Sequence, residues 1–262
     1  MANKITLKQS LLARERLIKM HYNSGVGHIG GNLSALDCLL VLIKEFNSDI
    51  NEIILSKGHS AGALYIALWN AGLIKDSELD SFHGEGTHLP GHPPINNNEN
   101  ISFGTGSLGH GLSLAAGTAL AFKLKKERAN KKAHSYCVTS DGEWQEGSTW
   151  EALIFATHHK LNNLTIFVDH NNLQGFGSTD KIASMSPLWE KLRGFDLDLL
   201  TIDGHNHQEI RDAAKKRTNK PLLVCMNTIK GKGISFMENR MEWHYLPLNK
   251  DNYKLALNEL RK

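Results

Sequence analysis

Cysteine is scarce in this 262-residue chain: Cys38, Cys137 and Cys225 each sit in an apolar segment, with no C-x-x-C spacing and no partner at metal-ligand distance. That pattern excludes a disulfide framework and a cysteine-based zinc site, and leaves three buried reduced thiols, as fits the cytosol. Long hydrophobic runs are also absent. The longest, Leu39 to Ile43, is far short of a membrane span, and Met1-Ala2-Asn3-Lys4-Ile5-Thr6 lacks the apolar core of a signal peptide. A soluble, cytoplasmic protein without membrane contact is expected. Neither sign of charge dominates, with 30 basic residues against 27 acidic ones and a net charge of +3. The densest basic run, Lys123 to Lys132, has no interleaved aromatic residues, so it reads as a solvated helix end and not as a nucleic-acid patch. No repeat or long linker divides the chain. Its 40% hydrophobic content is enough for one large core, so a single domain over residues 1–262 is expected.

Apolar spacing predicts helices over Leu7 to Tyr22 (capped by Thr6 and stopped by Ser24-Gly25), Ser34 to Phe46, Ser60 to Asn70 and Ser107 to Lys126, with a short one from Asp76. Glu85 to Asn100 and Gly175 to Ser186 read as long loops, a class of segment that is commonly functional. Further on, a short helix is predicted over Leu188 to Leu192, a strand over Asp198 to Ile202 and a helix over His207 to Thr218. A strand over Pro221 to Asn227 and a helix over Asn249 to Leu260 follow. Alternating strands and helices imply an α/β fold, a mainly parallel sheet covered by helices on both faces.

Two further strands carry the most information. His134 to Thr139 and Leu164 to Val168 are apolar runs that each stop at an aspartate, and Glu146 to Ala156 between them has helical periodicity. One crossover of that length makes the pair parallel, so both carboxyl ends open on one edge, where Asp141 and Asn171 can face a single cation. Hard oxygens from a carboxylate, an amide and a nearby main-chain carbonyl suit Mg2+ or Ca2+ better than zinc, and so few ligands leave room for phosphate oxygens. The plainer reading of either residue alone is an aspartate capping the next helix and an asparagine in a turn. Gly104-x-Gly106-x-x-Gly109 formally fits a dinucleotide fingerprint, but Ile95 to Asn100 before it is too polar for a central strand, which rejects the nicotinamide reading. A tight structural turn remains the alternative there. Among the fourteen histidines, His28, His59, His92 and His244 lie in or beside glycine- or proline-marked segments, positions that suit proton exchange as well as simple surface exposure.

The run Asp141-Gly142, Glu146-Gly147, Glu151-Ala152, Ala156, Leu161, Asn163-Leu164, Asp169 and Asn171-Asn172 resembles the thiamin diphosphate motif in the form found in transketolases. The similarity continues through Gly27-His28-Ile29-Gly30-Gly31, Leu55 to Ser60, Gly91-His92-Pro93, Thr105 to Gly111, Thr228 to Gly233 and Trp243-His244, nearly the whole chain. It implies a thiamin diphosphate-binding fold in which Asp141, Asn171 and the Leu173 carbonyl hold Mg2+ against the diphosphate and Gly142 offers its backbone N–H. Gly106 and Leu108 would lie beside the cofactor, and His59 and His244 would contact the diphosphate or reaction centre. His28 and His92 would line the substrate channel, and Glu146 would be the interfacial acid. The implied activity transfers a two-carbon ketol unit from a ketose or ketose phosphate to an aldose or aldose phosphate. One departure stands out: Ser140 occupies the place of the first glycine in the usual Gly-Asp-Gly.

In the resembled family the pyrimidine-side glutamate and pocket belong to a second domain, and this sequence stops at Lys262 without one. The resemblance therefore implies an N-terminal subunit that works with a separately encoded C-terminal transketolase subunit, in the form of an α2β2 assembly. Two alternatives stand beside it. One is the α-type subunit of a 2-oxo acid dehydrogenase or decarboxylase, which would not be expected to carry the Gly27-His28 and Trp243-His244 blocks. The other is a non-enzymatic interaction subunit, against which the retained Asp141, Asn171, His59 and His244 argue. The sugars themselves stay open between central pentose phosphates and a specialised ketose.

Overall fold

The computed structural model describes residues 4–95 and 100–261. Residues 96–99 of the predicted loop and the first three residues of the N-terminal segment lie outside the described residues. The chain opens with α1 (Leu7–Ser24), α2 (Ile29–Phe46), β1 (Glu52–Leu55), α3 (Ala61–Asn70) and α4 (Asp76–Leu79). It continues through α5 (His110–Leu124), α6 (Lys126–Asn130), β2 (Ser135–Ser140), α7 (Gly147–His158) and β3 (Leu164–His170). A hairpin of β4 (Leu173–Gln174) and β5 (Gly177–Ser178) precedes α8 (Thr179–Ala183) and α9 (Leu188–Leu192). β6 (Asp198–Asp203), α10 (His207–Lys215), β7 (Leu222–Asn227) and α11 (Lys250–Leu260) complete it.

Five strands form one wholly parallel sheet in the order β1-β2-β3-β7-β6. Side chains alternate across it, as a pleated strand requires. Tyr136, Val138, Phe167, Val224 and Met226 enter a core shared with α1, α2, α3 and α10, whereas Cys137, Ile166, Val168 and Leu223 meet α5 and α7 on the opposite face. Helices thus cover both faces, as the alternation of elements predicts. A sheet buried on both sides explains why its central strands read as continuous apolar runs.

The first helix ends where predicted: Thr6 closes a capping box with Gln9, and Gly25 takes the left-handed C-cap at φ 64°. Two boundaries differ from expectation for physical reasons. α2 begins at Ile29, five residues before the predicted Ser34, and carries Gly30 and Gly31 inside it. A Cβ on Gly30 would come within 3.1 Å of the Lys230 side chain and 3.2 Å of the Trp243 carbonyl, so close packing overrides low helix propensity there. The predicted helix over Ser107 to Lys126 starts instead at His110, and a Cβ on Gly111 would lie 2.4 Å from Ser56, which seats the helix on the end of β1. The predicted loop over Gly175 to Ser186 holds β5 and α8, and β1, four residues starting with a glutamate, adds a strand beyond those predicted. Among the described residues no helix is long and apolar enough to cross a membrane.

Phe167 is fully buried at the centre of the sheet. Phe167→Ala should therefore cost about 3–5 kcal/mol in chemical denaturation; a loss below about 1 kcal/mol would contradict its place in the core.

Candidate active site

The carboxyl ends of β1, β2, β3 and β7 converge on a cavity of about 240 Å³ lined by Asp141, Gly142, Asn171, Leu173, Leu108, three histidines and two lysines, among others. Ser140 pairs with Asp169 across β2 and β3, so the residues that leave the two strands stay adjacent. Asp141 Oδ1 accepts the Gly142 N–H at 2.7 Å and Oδ2 accepts the Asn172 N–H at 2.5 Å, stitching one strand tip to the next. Asn171 Oδ1 accepts the Leu173 N–H at 3.1 Å, which orients its amide in the same corner. Both side chains are buried, and Asp141 forms no ion pair among the described residues. Burial, followed by the nearby Asp169 charge, pushes the Asp141 carboxyl above its usual range.

Asp169 itself is neutralised. Lys57, from the segment after β1, makes a buried ion pair with it, and Ser34 Oγ (2.6 Å) and Thr228 Oγ1 donate to the same carboxylate. Burial alone would raise the Asp169 pKa; the Lys57 ammonium and these hydrogen bonds bring it below the ordinary value. Lys230 is the second buried lysine lining the cavity. Its Nζ lies 3.3 Å from the Leu173 carbonyl oxygen and 2.9 Å from His244 Nδ1, with no carboxylate partner in ion-pair contact among the described residues. Burial, then repulsion from Lys57, lowers it to about 8, so it remains largely an ammonium at neutral pH.

His28, His59 and His244 form a triangle with ring centroids 5.7, 5.1 and 5.6 Å apart. His28 sits at φ 65° as the residue before α2, an uncommon conformation for a side-chain-bearing residue, and its N–H bonds to the His244 carbonyl at 2.9 Å. Burial lowers all three pKa values, with help from Lys57 at His59 and Lys230 at His244, which falls to about 3. At neutral pH they are imidazoles, able to accept a proton or a hydrogen bond from a hydroxyl.

Not every predicted residue shares this cavity. His92 lies in an adjoining chamber of about 370 Å³ that shares His28 and His59 with it and adds His21 and His83. Gly106 backs onto that imidazole, since a Cβ there would sit 3.3 Å from His92 Cδ2. Glu146 is exposed at the start of α7, outside the cavity and close to Gly109. Ser140 lines the cavity, and its N–H bonds Glu143 Oε2 at 3.2 Å, so a side chain is accommodated where a glycine was expected. Lys57 and Lys230 belong to the Leu55 to Ser60 and Thr228 to Gly233 blocks, yet sequence reasoning misses them as cavity residues. Their signal is a lysine flanked by glycine and small or β-branched residues, which usually marks an exposed turn.

Buried and half-buried histidines also make the fold acid-sensitive. His21, His134 and His244 fall to about 4, 3 and 3, each chiefly through burial, below the value of about 6.5 in an unfolded chain. The unfolded chain then binds more protons below that value, so stability is retained above pH 6.5 and lost as pH falls. The melting temperature should drop steadily between pH 7 and pH 5; a flat profile would contradict neutral burial of these rings.

Residues 18–260 match the family model described as "Transketolase, thiamine diphosphate binding domain". The chain is 39% identical over 250 residues to the 6-deoxy-6-sulfo-D-fructose transketolase subunit SqwG of Clostridium sp. (strain MSTE9), covering 91% of this chain and 90% of that one. It is 36% identical to an apulose-4-phosphate transketolase subunit from Actinobacillus succinogenes, covering 97% and 95%. Among solved structures, a transketolase from Campylobacter jejuni superposes with a TM-score of 0.84 at 25% identity over 98% of this chain, which spans 43% of that structure's length. With the family model, two whole-length relatives and the fold in agreement, this chain belongs to the transketolase family, as its thiamin diphosphate-binding domain.

Proposed function

We propose that this chain is the diphosphate-side subunit of a two-chain transketolase. In this reading one domain spanning residues 1–262 holds thiamin diphosphate and Mg2+, with Ca2+ as a substitute, and a separately encoded second subunit completes the site in an α2β2 assembly. The two relatives described above, covered over 90% and 95% of their length, are themselves named as transketolase subunits, which supports a division of the enzyme between chains. Three buried free cysteines support a cytoplasmic location.

The observation that carries the metal assignment is the Asp141 carboxylate, buried at the cavity and lacking an ion-paired cation among the described residues. A buried charge without a partner is costly, and a divalent cation is the fitting partner. No cluster of three or more His, Cys, Asp or Glu suitable for a metal ion occurs among the described residues, so the ion would use the Asp141 carboxylate, the Asn171 amide oxygen and the Leu173 carbonyl, a hard-oxygen set. Lys230 would meet the diphosphate, and so would the Gly142 N–H once released from Asp141 Oδ1, which accepts it in the structure. Once bound, the coenzyme supplies the carbanion stabilisation that side chains cannot.

The chain's own residues then bind and orient the sugar. Neutral His28, His59 and His244 would accept hydrogen bonds from substrate hydroxyls and hold or pass a proton at their ring nitrogens. His92 would act from the adjoining chamber, whose lining among the described residues carries no lysine, arginine or carboxylate and so suits a hydroxylated carbon chain. Leu108 and Gly106 would shape the cofactor side, and Glu146, exposed beyond the cavity rim, would couple to the second subunit.

Asp141→Ala should abolish Mg2+-dependent retention of thiamin diphosphate in the assembled enzyme. The loss should be no smaller than the roughly 10–100-fold that outer-sphere substitutions cost a metal site. Unchanged cofactor affinity would refute the ligand set. The purified chain should transfer no ketol group until its partner is added, and turnover by the chain alone would overturn the two-subunit reading.

A further inference from the structure

A second buried network lies behind the cavity wall. Asp37, on α2 and 1% exposed, receives the guanidinium of Arg14 from α1, His205 from the turn after β6 and His207 from the first residue of α10. His205 Nδ1 lies 2.9 Å from Asp37 Oδ2, and His207 Nε2 lies 2.7 Å from Oδ1. His205 is the unusual member, because its other ring nitrogen, Nε2, lies 2.9 Å from the Ile229 backbone N–H. A backbone N–H can only donate. Nε2 must therefore be the bare nitrogen and Nδ1 the protonated one, so His205 is a neutral ring held in one tautomer by Asp37.

Ile229 immediately precedes Lys230, whose Nζ reaches the Leu173 carbonyl and His244 in the cavity. The segment around it is tied on both flanks, by Thr228 Oγ1 to Asp169 and by the Gly231 N–H to the Gly30 carbonyl at 2.9 Å. Between those ties the Ile229 and Lys230 carbonyls accept the Lys232 and Asn239 N–H groups at 3.2 and 2.9 Å, and His205 adds the side-chain bond, on the Ile229 N–H one residue before Lys230.

We propose that His205, oriented by Asp37, is a positioning residue that sets the Lys230 ammonium for the anionic end of the cofactor. This rests on reading the cavity as the diphosphate site. His205 touches neither cofactor nor substrate; it acts through the Ile229 peptide.

The test is a double-mutant cycle on thiamin diphosphate affinity, measured by calorimetry in the assembled two-subunit enzyme with saturating Mg2+. His205→Leu should weaken binding by about tenfold, the scale of one lost hydrogen bond. His205→Gln, whose side-chain carbonyl can accept the Ile229 N–H, should recover most of that loss. In a Lys230→Gln background, His205→Leu should add nothing, because the group it positions is gone. Equal losses in both backgrounds would overturn the inference, as would a lowered melting temperature with unchanged affinity. Should His205→Leu fail to assemble, His205→Asn, too short to reach Ile229, takes its place against His205→Gln; equal affinities for that pair would also overturn it. A Lys230→Gln enzyme that binds cofactor like the unaltered protein would separately bring down the diphosphate reading of the cavity.

Discussion

Two carboxylates, Asp141 and Asp169, lie buried side by side at the tips of neighbouring strands, and one of them has a paired lysine. Lys57 holds Asp169, and Ser34 and Thr228 reinforce that bond from α2 and from the segment after β7. This ties four separate parts of the chain to one charge pair. Breaking such a pair by removing one partner typically costs about 3–5 kcal/mol, because the remaining charge is stranded. Asp141 is left with backbone N–H donors alone, and its raised pKa reflects the cost of that position. In the proposed reading a cation completes this site, and the parallel sheet is what brings Asp141, Asn171 and Leu173 to one cavity at its edge.

The rest of the cavity follows from low polarity around a few polar groups. Burial that penalises the Asp141 charge also keeps His28, His59 and His244 uncharged and lowers Lys230. Neutral rings near a retained ammonium would, in the proposed reading, separate two tasks within one space: hydroxyl recognition and proton exchange on the imidazoles, anion binding on the lysine. The adjoining chamber extends the hydroxyl-compatible surface away from the strand ends, with His28 and His59 in the shared wall.

Much of this was legible from residue order. The strands ending at Asp141 and Asp169 were readable because sheets covered on both faces give unbroken apolar runs, and the ends of α1 were marked by Thr6 and Gly25. The helix over Leu188–Leu192 was likewise marked by its local pattern. What escaped was fixed by distant packing. Gly30 and Gly31 argue against a helix locally, yet they lie within α2 because Lys230, Trp243, His59 and Ser60 press against them. β1 is short and begins with Glu52, so its pattern is weak, and it becomes a strand by pairing with β2. Lys57 lies 112 positions from Asp169, and Asp37 lies 168 from His205, separations at which no spacing rule operates. Sequence order also leaves open how far His92 and Glu146 stand from the strand tips; the fold sets His92 in the neighbouring chamber and Glu146 on the surface.

The central claim is that the unpaired Asp141 carboxylate is completed by a divalent cation. Its most direct test is anomalous X-ray scattering from crystals of the assembled enzyme grown with Mn2+ in place of Mg2+ and with thiamin diphosphate. The account predicts one strong manganese peak in bonding contact with the Asp141 carboxylate, the Asn171 amide oxygen and the Leu173 carbonyl. A bound cofactor with no anomalous peak at that corner, or a manganese ion held by other residues, would contradict it.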